Sequence, residues 1–88
     1  MKNIMWKDKI ETFDVMDVRD RSLNFFSELR QKAVAKKNGE GLHVVQSFDP
    51  IPLYLVMSAM GFEHYTEKVS KSEYHAYFYR VKKGENNE

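Results

Sequence analysis

The chain contains no cysteine. That single absence removes disulfides, thiolate nucleophiles, persulfide carriage and thiolate metal sites together. Long apolar runs are missing too. Nothing approaches the roughly 20 residues of a membrane span, and the opening MKNIMWKDKIE is broken by Lys7, Asp8 and Lys9 before a signal-peptide core could form. The expectation is a soluble cytoplasmic protein with no membrane partner. An excess of one charge is also lacking: 14 basic against 13 acidic side chains leave +1, too little for the broad positive field that holds a phosphate backbone. Nucleic acid is therefore disfavoured as a partner.

What is present is the composition of a folding domain. Hydrophobic residues make up 42% and aromatics 14%, well away from the signature of disorder. Eighty-eight residues suffice for one domain and not for two. A domain of this size buries only about 60 to 65% of the surface of its unfolded chain, which argues against a deep pocket.

Residues 1–11 read as a flexible leader, with Trp6 either folded back on the domain or exposed. TFDVMDV (Thr12–Val18) reads as a strand with apolar groups on both faces, Phe13 and Val15 against Met16 and Val18, and so as a central one. Asp20 or Ser22 can cap a helix beginning just after them. From Leu23 to about Lys37 the spacing of Leu23, Phe25, Phe26, Leu29 and Ala33 predicts that helix to be amphipathic, with basic residues in its last turn. NGEG (Asn38–Gly41) supplies the stop, and LHVVQSF (Leu42–Phe48) a second strand.

SFDPIPLY (Ser47–Tyr54) then joins strand to helix. Asp49 is a favourable N-cap, Pro50 fits the first helical position, and Pro52 still lies in the first turn. The helix LYLVMSAM ends at Gly61, a left-handed cap, and its Met57 and Met60 are expected to fill the core. FEHYTEKV (Phe62–Val69) and EYHAYFYRV (Glu73–Val81), joined by the polar turn SKS, predict an antiparallel hairpin. One domain is expected over residues 12–83, with 84–88 a disordered tail.

The order is therefore β-α-β-α-β-β. A right-handed crossover makes the first two strands parallel, giving a two-layer α/β sandwich: a mixed four-stranded sheet with two helices on one face and the other face open.

Several motifs in that order resemble a known family. DVRD (Asp17–Asp20) before a helix, GEGLHVVQSFDPIPLY (Gly39–Tyr54), and MGFEH (Met60–His64) are similar to the TusA/SirA-like sulfur-carrier superfamily, over about Phe13 to Lys83. Within it, DPIPLY looks like a cysteine-less branch that bears DP.PLY here without an assigned reaction. The resemblance implies the same fold. Sulfur carriers, however, place Cys-Pro-x-Pro at the start of the first helix, where this chain has LNFF (Leu23–Phe26). A leucine methyl group cannot carry sulfane sulfur. What the likeness implies is a non-catalytic accessory module that binds a protein or a small ligand, with docking into a sulfur or redox relay as the alternative.

Three constellations remain as candidate sites. Asp17, Arg19 and Asp49 are expected to converge on one rim with both helix N-termini, as a site for a small anion or polar ligand. The competing reading has Asp49 capping its helix and ion-pairing with Arg19. His43, His64 and His75 lie on three strands without metal-ligand spacing, so they are expected to act independently, with no metal and no cofactor. Tyr65, Tyr77 and Tyr79, if they face away from the helices, offer an interaction face for a protein, for a second copy in a weak dimer, or for single-stranded RNA. Glu63, Glu67 and Glu73 in the same hairpin favour protein; otherwise the domain is a monomer.

Overall fold

The computed structural model describes residues 6–19, 25–49 and 51–81. Among them the chain runs through a 3₁₀ segment (Lys7–Thr12), β1 (Asp14–Asp17), α1 (Phe25–Ala35), β2 (Gly41–Gln46), α2 (Ile51–Ala59), β3 (Phe62–Ser70) and β4 (Glu73–Arg80). The strands form one sheet in the order β1-β2-β4-β3. β1 and β2 pair parallel, the remaining pairs antiparallel. This is the mixed-sheet α+β sandwich that the sequence predicts. The proposed caps at Asp20 and Ser22, Pro50 and the tail beyond Val81 lie outside the described residues.

Strand alternation distributes side chains between two faces. Met16, Leu42, Val44, Ala76, Phe78 and Phe62 point to one side, where they pack with Phe25, Leu29 and Ala33 of α1 and Leu53 and Met57 of α2. Both helices therefore cover the same face. Gly61 carries the positive φ (91°) that lets the chain turn from α2 into β3. Gly41 serves a different need. A methyl group there would stand 2.4 Å from the Phe78 carbonyl oxygen and 2.6 Å from the Phe13 ring, so only glycine admits both neighbours.

Two expectations are corrected. β1 is an edge strand rather than a central one, and β2 holds the centre with β4. The double-sided apolar pattern that suggested centrality has separate causes: Met16 and Val18 face the core, Phe13 is covered by the preceding segment, and Val15 is simply 63% exposed. The leader is also folded from Trp6 onward. The indole, 5% exposed, stacks 5.2 Å from the Tyr79 ring and 6.0 Å from Phe13, and its Nε1 donates to Glu63 Oε1 at 2.8 Å. It roofs one end of the face that the helices leave open.

At the end of β4 the buried guanidinium of Arg80 donates to the Ala33 carbonyl in the last turns of α1 and to the Met60 carbonyl just beyond α2, each at 2.7 Å. Its Cζ lies 4.5 Å from the centroid of the Phe62 ring. One side chain thus ties both helix C-terminal ends to the sheet, adding a second donor to the Ala33 carbonyl, which also accepts the Lys36 N–H, and a donor to the Met60 carbonyl.

Candidate functional site

Register across the helix-free face places side chains in rows. Val15, His43, Tyr77 and Tyr65 stand opposite one another across all four strands; beside them run Asp17, Val45, His75 and Glu67. A third row, Gly41, Tyr79 and Glu63, is the one beneath Trp6. The first row is mainly aromatic, with the His43 and Tyr77 ring centroids 4.4 Å apart and those of Tyr77 and Tyr65 6.2 Å apart and nearly parallel. Their rings are half-buried by each other and by strand neighbours, leaving one side to solvent. Burial, then the nearby Glu67 carboxylate, push the Tyr77 hydroxyl above its ordinary pKa.

A hydrogen-bonded chain crosses the second row. Arg19 forks onto Asp17, with Nη2 to Oδ2 at 2.6 Å and Nε to Oδ1 at 2.9 Å, and its Nη1 reaches Glu73 Oε1 at 3.2 Å. Glu73 Oε2 lies 2.6 Å from His75 Nε2, and His75 Nδ1 lies 2.7 Å from His43 Nε2. The tautomers are set by the partners. An ionised Glu73 accepts the His75 Nε2 proton; in the form with both rings uncharged, His75 then presents a lone pair at Nδ1 and His43 donates its Nε2 proton to it. The free lone pair of the chain is then His43 Nδ1.

The fork from Arg19 holds the Asp17 carboxyl below the usual carboxylate range. Burial, then the neighbouring His75, lower His43 from its ordinary value of 6.5. The imidazole centroids are 4.9 Å apart while the nitrogens touch at 2.7 Å, so the two nitrogens aim at one another. This is the geometry of a shared proton, not of two lone pairs converging on a metal. Among the described residues no group of three His, Cys, Asp or Glu side chains is placed to hold a metal ion.

The expected rim is divided between the two faces. Asp17 and Arg19 meet on the open face, while Asp49 turns to the helix side and accepts the Tyr54 hydroxyl at 2.6 Å. Arg19 closes on Asp17 and Glu73 rather than on Asp49. The same Tyr54 hydroxyl meets Thr66 Oγ1 of β3, and its ring stacks on His64 at 4.0 Å with planes 3° apart. Burial, then Asp49, push the Tyr54 hydroxyl up to about 12. SFDPIPLY is therefore a clasp between the start of α2 and β3.

The histidines divide likewise. His64 belongs to the clasp, and His43 and His75 form a pair instead of acting independently. Residues 43 and 75 are 32 positions apart, so their meeting depends on the β2–β4 register, which no local spacing encodes. Tyr65, Tyr77 and Tyr79 do share the open face, with Tyr79 roofed by Trp6 and the other two accessible.

On the open face Asp17, Glu63, Glu67 and Glu73 stand against Arg19, whereas Arg30, Lys32, Lys36 and Lys37 lie on α1 or just beyond it. Comparison of the chain with protein-family models, with curated proteins and with solved structures found no match in any of the three.

Proposed function

We propose that this domain is a non-catalytic binding module whose working surface is the open face of the sheet. The observation that carries the reading is the row His43, Tyr77 and Tyr65, which crosses three strands with no helix over it. Aromatic side chains held by strand neighbours offer contact area at little further entropic cost, as recognition surfaces require. The carboxylates on the same face oppose a phosphate backbone, which favours polypeptide over RNA. The likeness to TusA-like domains without the carrier cysteine supports the same conclusion from the sequence, because such a scaffold can recognise without transferring.

Amide chemical-shift mapping with a panel of probes tests the reading. Inorganic phosphate, a nucleoside monophosphate, a short single-stranded RNA, and cationic and anionic peptides would be titrated in turn. Perturbations are expected around His43, Tyr65 and Tyr77. Binding confined to the helical layer, or to the ends of the strands near Asp49, would refute it.

A further inference from the structure

Resting on that reading, we infer that the open face takes a cationic, arginine-bearing polypeptide segment, held with a guanidinium stacked on Tyr77 and Tyr65 and paired to Glu67. The carboxylates of this face differ in what already engages them. Glu63 receives the Trp6 indole N–H, and Asp17 and Glu73 share Arg19. Glu67, exposed on β3, makes no ion pair among the described residues and stands next to the aromatic row, close enough to raise the Tyr77 hydroxyl. A cation above the Tyr77 ring would meet the negative π face and the Glu67 carboxylate together.

Guanidinium suits this arrangement better than ammonium because it is planar, stacks on aromatic rings and forks onto carboxylates. The domain uses that chemistry on its own side chains. Arg19 forks onto Asp17 and reaches Glu73 on this face, and the Arg80 guanidinium sits over the Phe62 ring on the other. Charge complementarity points the same way: the face carries an excess of carboxylates, and the basic residues of α1 belong to the opposite layer.

The test is a titration of the full chain with a nonapeptide of glycine and serine carrying three arginines, followed by amide shifts and by fluorescence anisotropy of the labelled peptide. Shifts are expected at His43, Tyr65, Glu67 and Tyr77. Glu67→Gln and Tyr77→Leu should each weaken binding by about threefold or more, and replacing arginine by citrulline should abolish it. Glu67→Gln alters an exposed side chain, so it remains informative should Tyr77→Leu disturb folding. Unchanged affinity in Glu67→Gln, or retained binding of the citrulline peptide, overturns the inference. If phosphate or a neutral probe perturbs the sheet face while the arginine peptide does not, this inference falls and the open-face reading stands. Silence of the face toward every probe sinks both. Concentration-dependent shifts on both the sheet face and α1 without peptide would assign the face to a second copy instead.

Discussion

His43 Nε2 and His75 Nδ1 lie 2.7 Å apart across neighbouring central strands, with Glu73 on the far nitrogen of His75. Carboxylate, imidazole and imidazole thus form a line in which each proton has one donor and one acceptor. Adding a proton at His43 Nδ1 leaves both bonds in place but puts a charge in a half-buried site beside His75, and that opposes protonation. The exposed end of the chain adjoins the Tyr77 ring, so the protonation state of the pair is felt where a partner would sit.

Stability should fall on acidification through this pair. His43 titrates below its ordinary 6.5 in the folded chain. The unfolded chain therefore binds the proton first as pH drops, and the stability that neutral His43 contributes is fully present above about pH 7.5. It is lost as pH falls through about 6.5 and levels off beneath the folded pKa. Thermal unfolding of the wild type and His43→Gln between those limits should show a steeper decline in the wild type; parallel curves would contradict the assignment.

Trp6 should behave as a core residue despite its place in the leader. Trp6→Ala removes the stack on Tyr79 and Phe13 and leaves Glu63 without its indole donor. A loss of about 3 kcal/mol in denaturant unfolding is expected, with Glu63→Gln costing much less. Since Trp6 is the one tryptophan of the chain, its fluorescence reports the docking of this segment directly. A neutral Trp6→Ala substitution would mean the segment is not bound to the sheet in solution.

Arg80→Met should be among the most damaging single changes. It removes the guanidinium's bonds to the Ala33 and Met60 carbonyls inside the fold, at a cost of about 2–4 kcal/mol. Arg80→Lys should recover less than half of that, because one ammonium cannot reproduce a fork that reaches two carbonyls from over the Phe62 ring. Equal stability of the lysine variant and the wild type would show that charge alone matters there.

The clasp predicts a signature at alkaline pH. Tyr54 ionises near 12 in the folded chain, against 10.0 for an ordinary tyrosine. Native protein therefore keeps the proton longer than the unfolded chain, and stability declines as pH rises from about 10 toward 12. Phenolate absorbance titrations of wild type and Tyr54→Phe should differ by one late-titrating group. Asp49→Ala should move that group to lower pH and cost about 1 kcal/mol at neutral pH.

Element order was legible because apolar periodicity and turn residues are local. The hairpin from Phe62 to Arg80, the stop before Gly41 and the cap at Gly61 are all written in residues within a few positions of one another. Strand rank was not legible in the same way. Met16 and Phe13 look alike in sequence, yet one faces the helices and the other is covered by Trp6, and that contact spans a segment with no strand pattern. The site divides along the same line. Alternation puts Tyr77 and Tyr79 on the same side of β4, but which side that is was open until the register of the sheet was known. The Glu73–His75–His43 chain needed register, and Asp49 needed the knowledge that Tyr54, one turn on, would capture it.

With Asp17, Glu63, Glu67 and Glu73 on the open face and Arg30, Lys32, Lys36 and Lys37 on α1 or just beyond it, a molecule of formal charge +1 is unevenly charged across its described residues. Such a body does not tumble freely near a charged neighbour. It turns before touching, and the alignment acts over the roughly 8 Å that physiological salt leaves unscreened. The near-neutral total therefore conceals a directional encounter, one that raising the ionic strength would slow without altering a single contact.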